Sequence, residues 1–273
     1  MTFAATIPPA LPDCDVELAR LPILQASSLA LHFGGVYALD GASFEFGRGE
    51  IVAMIGPNGS GKTTACNVLS GHLTPQSGSV VFKQRAIDGL PAYRVARRGI
   101  ARTFQDVRVF RRFTAMENML FSLRSVGGET IWRAAIGAVR RHRWAGSDVE
   151  EAKHWLESAG LTEKKDTLAR DLSFGQAKLL EIVRAACRRP ELILFDEPAA
   201  GLSVAGLERL ARVIERLRDR KTTIGFIEHN LRVVRQFADR VLVFDTGRVV
   251  ASGKPEMIER DAFVRRIYTG APA

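Results

Sequence analysis

Residues 50–64 read EIVAMIGPNGSGKTT. The apolar run Ile51 to Ile55 stops at a glycine. A glycine-rich turn follows, and Lys62 with two threonines leads into a second apolar stretch. A short apolar run closed by turn residues predicts a buried parallel strand over Glu50 to Ile55. Lys62 to Leu69 predicts a helix. The turn between them fits GxxxxGK[ST] in the strand–loop–helix setting that gives this pattern its meaning. Glycines let the backbone curl so that N–H groups converge on phosphate oxygens, and the helix N-terminus adds partial positive charge. Gly56, Pro57, Asn58, Gly59, Ser60, Gly61, Lys62, Thr63 and Thr64 are therefore candidate phosphate-binding residues. Lys62 supplies a point charge to the outer phosphates, and the Thr63 hydroxyl is a ligand for Mg²⁺.

A second stretch, Leu192 to Ser203, reads LILFDEPAAGLS. Four apolar residues run into Asp196 and Glu197. Unpaired buried charge costs several kcal/mol, so the two acids belong at the carboxyl end of the strand, where open α/β sheets bind ligands. In P-loop NTPases such a strand ends on an aspartate that helps hold Mg²⁺, the role expected of Asp196. Glu197 points another way and is the candidate to polarise a water for in-line attack on the γ-phosphate of ATP. That favours hydrolysis over phosphoryl transfer to a small acceptor and disfavours a small-molecule kinase.

The rest of the chain sets these pieces in an α/β fold. Ile23 to Phe33 and Val36 to Phe46 predict a β-hairpin around Gly34-Gly35. Further strands are expected over Gly78 to Lys83, Ile100 to Phe104, Leu192 to Phe195, Thr222 to Ile227 and Arg240 to Phe244. Helices are expected over Ser173 to Arg188, Val204 to Arg220 and Asn230 to Ala238. Thr114 to Gly160 turns helical throughout (TAMENMLFSLRS, TIWRAAIGAVRRHRW, DVEEAKHWLESAG) and reads as an inserted helical block. Strands alternating with helices imply a mostly parallel sheet covered on its faces.

Composition narrows the class. The chain has 273 residues, 46% of them hydrophobic, and a formal charge of +9. The size suits one large domain, and the charge suits an anionic partner without choosing among nucleotide, nucleic acid and lipid headgroup. Cys14, Cys66 and Cys187 are scattered, with no CxxC or Cys/His cluster, which argues for reduced thiols and against a metal–thiolate site. No apolar run approaches a membrane span. Residues 1–22 contain several prolines, lack the pattern of a secretory signal, and read as an extended arm.

Leu172 to Gln176 reads LSFGQ and precedes the amphipathic AKLLEIVRAACRR. Ser173 is a good N-cap, and the glycine permits close approach of a ligand. This pentapeptide resembles the LSGGQ signature of ABC transporter ATPases and, as in that family, lies shortly before the Asp-Glu strand. The resemblance extends from Ile23 onward. It implies a P-loop NTPase of ABC type over 23–273, with a mostly parallel sheet core, an antiparallel β subdomain and a helical subdomain inserted at about 106–175. It implies that Phe33 stacks on adenine, that Gln105 in RTFQ senses Mg²⁺ and the attacking water, and that His229 in FIEHN contacts the γ-phosphate. It further implies that Ser173, Gly175 and Gln176 meet the nucleotide held by a second ABC ATPase subunit in a head-to-tail dimer. Glu197, His229, Gln105 and Lys62 would carry catalysis, with ATP and Mg²⁺ as cofactors.

The phrases LPAYRVARRGIARTFQ, RTFQDVRVFRRFTAMENML and EPAAGL followed by IEH look like the ATPases of branched-chain amino acid importers. That branch implies integral membrane permease subunits as partners and, indirectly, a periplasmic or extracellular solute-binding protein. It implies a cytoplasmic place on the inner face of the membrane, and no nucleic-acid partner. The alternative is a soluble ABC ATPase acting on nucleic acid or ribosomes, which usually carries paired cassettes or a long coiled-coil insert. Two positions depart from the family pattern: Ser203 stands where Asp or Asn is usual, and Asn230 where Asp is common.

Overall fold

Alternation of apolar side chains along the strands sets the layers of the molecule. The computed structural model describes residues 21–124 and 144–269. The arm before Leu21 and nearly all of the predicted helix TIWRAAIGAVRRHRW lie outside the described residues. The main sheet takes its strands from β3 (Ile51–Ile55), β6 (Ile100–Arg102), β7 (Leu192–Asp196), β8 (Thr223–Ile227), β9 (Arg240–Asp245) and β10 (Arg248–Gly253), in the order β10-β9-β3-β8-β7-β6. All neighbours in it pair in parallel except β10, which closes one edge as an antiparallel hairpin with β9.

Every residue of β3, β7 and β8 is buried, as strands covered on both faces require. Ile51, Ala53, Ile55, Ile193, Phe195, Ile224 and Phe226 face one core, together with the helices. Val52, Met54, Leu192, Leu194, Leu242 and Phe244 face the other, together with α1 (Lys62–Leu69) and a second sheet. That second sheet is antiparallel, β2 (Val36–Phe46), β1 (Leu24–Phe33), β4 (Ser77–Phe82) and β5 (Arg85–Ala86), in the order β2-β1-β4-β5. The pair Phe33↔Val36 closes the β1–β2 hairpin on Gly34-Gly35.

The helical elements on the strand-order edge begin with α2 (Ala92–Arg97), before β6. The insert follows β6 as α3 (Ala115–Arg124) and α4 (Gly146–Ser158) and returns through two short 3₁₀ turns to α5 (Phe174–Ala186). Trp155 of α4 is fully buried. The guanidinium groups of Arg216 and Arg220, from α6 (Val204–Asp219), lie 4.7 and 4.9 Å from its ring, and its Nε1 donates to Glu151 at 2.9 Å. The insert is thereby fastened to the parallel-sheet core. The chain ends in α7 (Leu231–Phe237), α8 (Pro255–Arg260) and α9 (Ala262–Thr269).

The expected strand Ile100 to Phe104 is shorter than its apolar content suggests. Thr103 N still donates to Leu194 O at 2.9 Å, but the chain then leaves the sheet, and Gln105 is exposed.

Candidate nucleotide site

The loop Gly56 to Gly61 crosses the carboxyl end of β3, and its glycines are obligatory for different reasons. At Gly56 (φ 145°) a Cβ would stand 2.1 Å from Phe244 O, and at Gly61 (φ 103°) 2.4 Å from Ala38 O. Gly59 (φ 78°) has nothing within 4 Å of a Cβ, so only its backbone angle calls for glycine. The result is a curled backbone with an open side. Lys62 is 5% exposed, and its Nζ donates to Gly56 O (2.9 Å), Pro57 O (2.7 Å) and Ser60 Oγ (3.2 Å). Burial holds this ammonium below the usual lysine range, against the raising pull of Glu197 and Asp196. Thr63 is exposed and Thr64 half-buried at the start of α1.

The antiparallel sheet is tied to this loop through the turn between β9 and β10. Gly247 N donates to Ser60 O at 3.1 Å, and Asp40 N donates to Gly247 O at 2.9 Å. Phe33, at the tip of the hairpin, is 55% exposed, with Tyr37 and Val36 also exposed beside it.

Asp196 and Glu197 end β7 in different surroundings. Asp196 is buried, and Arg102 Nη2 reaches its Oδ2 at 3.2 Å. Burial raises the Asp196 carboxyl above the ordinary aspartate range, with Arg102 opposing the shift. Arg102 Nη1 in turn donates to Asn67 Oδ1 (2.7 Å) and Ser70 Oγ (3.0 Å), which links β6 to α1. Glu197 takes φ 49°, a left-handed conformation unusual for glutamate, and its Oε1 lies 3.3 Å from His229 Nε2. The sequence-predicted base and histidine are thus side by side at the carboxyl ends of neighbouring strands β7 and β8.

Ser173 and Gln176 sit farther along, at the head of α5, joined in a capping box. Gln176 N donates to Ser173 Oγ at 3.3 Å, and Ser173 N donates to Gln176 Oε1 at 3.0 Å. Both side chains are engaged by their own helix terminus, with Gly175 half-buried and Phe174 58% exposed beside them. Among the described residues, no hydrogen bond or ion pair joins Gln105, Ser173 or Phe33 to the Glu197–His229 pair.

The donors suit a hard divalent cation. A threonine hydroxyl, a buried carboxylate and a glutamine amide are oxygen ligands of the kind Mg²⁺ takes alongside phosphate and water. The curled loop with its buried lysine is an anion cradle. A nucleoside triphosphate with Mg²⁺ fits this set.

The profile of the ABC transporter family matches residues 39–200, more than half of the chain. The chain belongs to the ABC transporter family. Its relatives cover almost its whole length. It is 37% identical over 250 residues to a high-affinity branched-chain amino acid transport ATP-binding protein, LivG, of Salmonella typhimurium, covering 91% of this chain and 98% of that one. The identity and coverage are the same for the corresponding protein BraF of Pseudomonas aeruginosa. Among solved structures, an ATP-binding cassette of an ABC transporter in its ADP conformation superposes with a TM-score of 0.77 at 32% identity, covering 92% of this chain and 100% of that one. A nucleotide-free cassette gives 0.75 at 31% identity, covering 91% and 99%. This ABC cassette is an ATPase subunit, and the α/β architecture of parallel core, antiparallel sheet and helices is that of its structural neighbours.

Three side chains around the site were not singled out in the sequence. Arg102 grips Asp196, as described. Glu228 is buried beneath the pair, with Oε1 accepting from Ala199 N (2.9 Å) and Oε2 from His229 N (3.3 Å). Burial raises its carboxyl above the usual glutamate range, and backbone N–H groups oppose this. Lys178 reaches the same turn from α5. FIEHN does hold an acid before the histidine, and a buried strand running into it is a signal that could have pointed to Glu228.

Proposed function

We propose that this cassette hydrolyses Mg·ATP to drive uptake of branched-chain amino acids, or a related small polar solute, through partner permeases. The Glu197–His229 contact at 3.3 Å carries the chemical part of the reading. It supports pairing a base, Glu197 after β7, with a group able to hold a phosphate oxygen, His229 after β8, the strand next to β3 and its P-loop. Lys62 balances the outer phosphates, while Thr63, Asp196 and Gln105 would hold Mg²⁺, which would neutralise charge developing on the phosphates. Glu197 accepts a proton from the attacking water, and His229 fixes the phosphate oxygens. Phe33 supports the adenine ring.

Residues 23–273 act as the ATPase domain, with about 106–175 as its helical subdomain. The described residues contain no helix long and apolar enough to cross a membrane, which fits a subunit held at the inner face by its permeases. Ser173, Gly175 and Gln176 would close on the nucleotide of a second cassette in a head-to-tail dimer. In such a partnership the solute touches the permease and its binding protein, so the assignment of solute rests on likeness to LivG and BraF. A lipopolysaccharide export ATP-binding protein of Haemophilus influenzae is 30% identical over 92% of this chain, the weaker match.

Glu197→Gln tests the chemistry. ATP binding should persist, phosphate release should fall on the order of 10²–10⁴-fold as general-base catalysis is lost, and the ATP-bound dimer should accumulate. Lys62→Ala should instead weaken nucleotide binding itself. Near-normal phosphate release by Glu197→Gln would remove the assigned role. Uptake of leucine by vesicles carrying the assembled transporter tests the solute.

A further inference from the structure

Helix α5 carries Lys178, Glu181 and Arg184 three residues apart, on one face. Each reaches a loop of the nucleotide site. Glu181 is buried, and the backbone at Phe104 and Arg108, on either side of Gln105, opposes the rise that burial gives its carboxyl; Arg184 donates to Arg108 O. Lys178 reaches the other way. It is 4% exposed, and its Nζ donates to Glu197 O at 2.6 Å and to Ala200 O at 2.9 Å.

The first of those carbonyls belongs to a residue in an unfavourable backbone conformation, φ 49°. Strained backbone persists only where surrounding contacts over-determine it. Here Glu197 N donates to Ile227 O at 3.1 Å, and Lys178 takes the carbonyl, so Glu197 is held at both ends. The turn that follows is also packed against the signature. A Cβ on Gly201 would lie 2.7 Å from the Phe174 ring, and one on Gly175 3.4 Å from Leu202 Cδ2.

We propose that Lys178 is a positioning residue that sets the Glu197 carboxylate and links it to the signature helix of its own subunit. The linkage rests on the head-to-tail reading given above. In that arrangement Ser173 and Gly175 engage nucleotide bound by the partner, while Glu197 serves nucleotide bound in its own chain. Lys178 lies five residues beyond Ser173 on the same rigid helix. A displacement of the helix head as it closes on the partner's phosphates moves the ammonium with it. The two carbonyls, bonded to that ammonium, follow. Engagement at one site thereby reaches the base of the other.

The test uses the full-length chain with Lys178→Met, which keeps the apolar stem and removes the donors, and Lys178→Arg, which restores donors to both carbonyls. Lys178→Gln keeps a donor for one carbonyl and serves if the Met variant does not fold. Rates are normalised to nucleotide-binding sites, titrated with a fluorescent ATP analogue. Misplacement of a catalytic group by about 1 Å costs on the order of 10²-fold. Expected for Lys178→Met are a kcat lowered on the order of 10–100-fold, a KM for ATP within about twofold of the parent, and a Hill coefficient for ATP reduced toward 1. Lys178→Arg should recover most of kcat, and Lys178→Gln should lie between. A kcat per binding site equal to the parent, or a loss of nucleotide affinity as large as the loss of kcat, would overturn the proposal by making Lys178 an ordinary structural cation. ATP-driven dimerisation is measured in parallel on Glu197→Gln with and without Lys178→Met. If Glu197→Gln alone stays monomeric, the head-to-tail reading fails, and the kcat measurement still decides whether Lys178 positions Glu197.

Discussion

A phenylalanine more than half exposed at a hairpin tip gives up the burial that normally stabilises such a side chain. Phe33 is in that position, and the Gly247 tether orients its hairpin relative to the P-loop. Stacking on adenine stabilises ground and transition states alike, so Phe33→Ala should raise KM for ATP with kcat unchanged. An aromatic contact contributes about 1 kcal/mol, which corresponds to a KM change of roughly fivefold. Steady-state hydrolysis with ATP and GTP checks it: both nucleotides should be used, and a fall in kcat at constant KM would rule out the stacking role. At this scale the sequence was readable wherever a residue's role is local. The P-loop glycines, the lysine and the Asp-Glu step are legible because their backbone angles and spacing are the mechanism. Arg102 and Lys178 were not, because nothing in a helix-face lysine or a strand-end arginine states which distant carbonyl or carboxylate it will meet. The left-handed Glu197 is likewise a product of contacts from β8 and α5. Cys66 and Cys187 are buried in the core, which pushes each thiol up to about 12.

Elements are held in register by a small number of polar ties between strands that the apolar core would let slide. Glu50, at the head of β3, accepts from Arg240 at the head of β9 through both oxygens, Nε to Oε1 at 2.6 Å and Nη2 to Oε2 at 2.8 Å, and Arg240 Nη2 also donates to Glu45 O at 2.8 Å. One guanidinium so joins the two sheets. Burial raises the Glu50 carboxyl, but the bonds from Arg240 and Gly47 N outweigh it, and the net shift is below the ordinary glutamate value. A carboxylate whose folded pKa is depressed adds stability above its unfolded pKa, about 4.3. That stability is lost as pH falls through the folded value. Glu50→Gln should cost about 1.5–3 kcal/mol at pH 7, the range for charge-assisted hydrogen bonds, and flatten the fall in Tm below about pH 4.5. Parallel Tm–pH curves for the two proteins would remove the assignment. The continuous apolar runs of β3, β7 and β8, five residues each, and the long amphipathic helices α5 and α6 were legible in advance. The misses are short or irregular: α2 and α8 have six residues each, and β10 is only half-buried along its length. Their existence depends on the sheet edge they cover or the turn they follow.

At the scale of the whole molecule, the chain's departure from the sheet after Thr103 shapes the face we propose for the permease. Beyond Gln105 the chain runs through DVRVFRRF, with Arg108, Arg111 and Arg112 exposed. Phe110 is 39% exposed, yet its backbone is fixed: its N–H donates to Asn118 Oδ1 at 2.9 Å, and its carbonyl accepts from Asn118 Nδ2 at 3.1 Å. Its ring meets Phe121 edge-on at 4.8 Å and Phe113 at 5.5 Å, with Arg184 over it at 4.9 Å. Val109 is partly buried against the main core. An aromatic cluster with a rigid backbone, a half-open ring and a basic rim has the composition of a docking socket. Arg184, over the Phe110 ring, and Lys178, at the Glu197 turn, both stand on α5. Because Phe110 touches no nucleotide-site group, Phe110→Ala should leave the isolated subunit's ATPase rate within about twofold of the parent. In the assembled transporter, loss of a well-packed aromatic anchor is worth about 1–2 kcal/mol of association, and solute uptake should fall several-fold at limiting subunit concentration. Measuring both rates on one variant separates the outcomes. Equal losses would make Phe110 a core residue, and undiminished uptake would place the permease contact elsewhere on the surface.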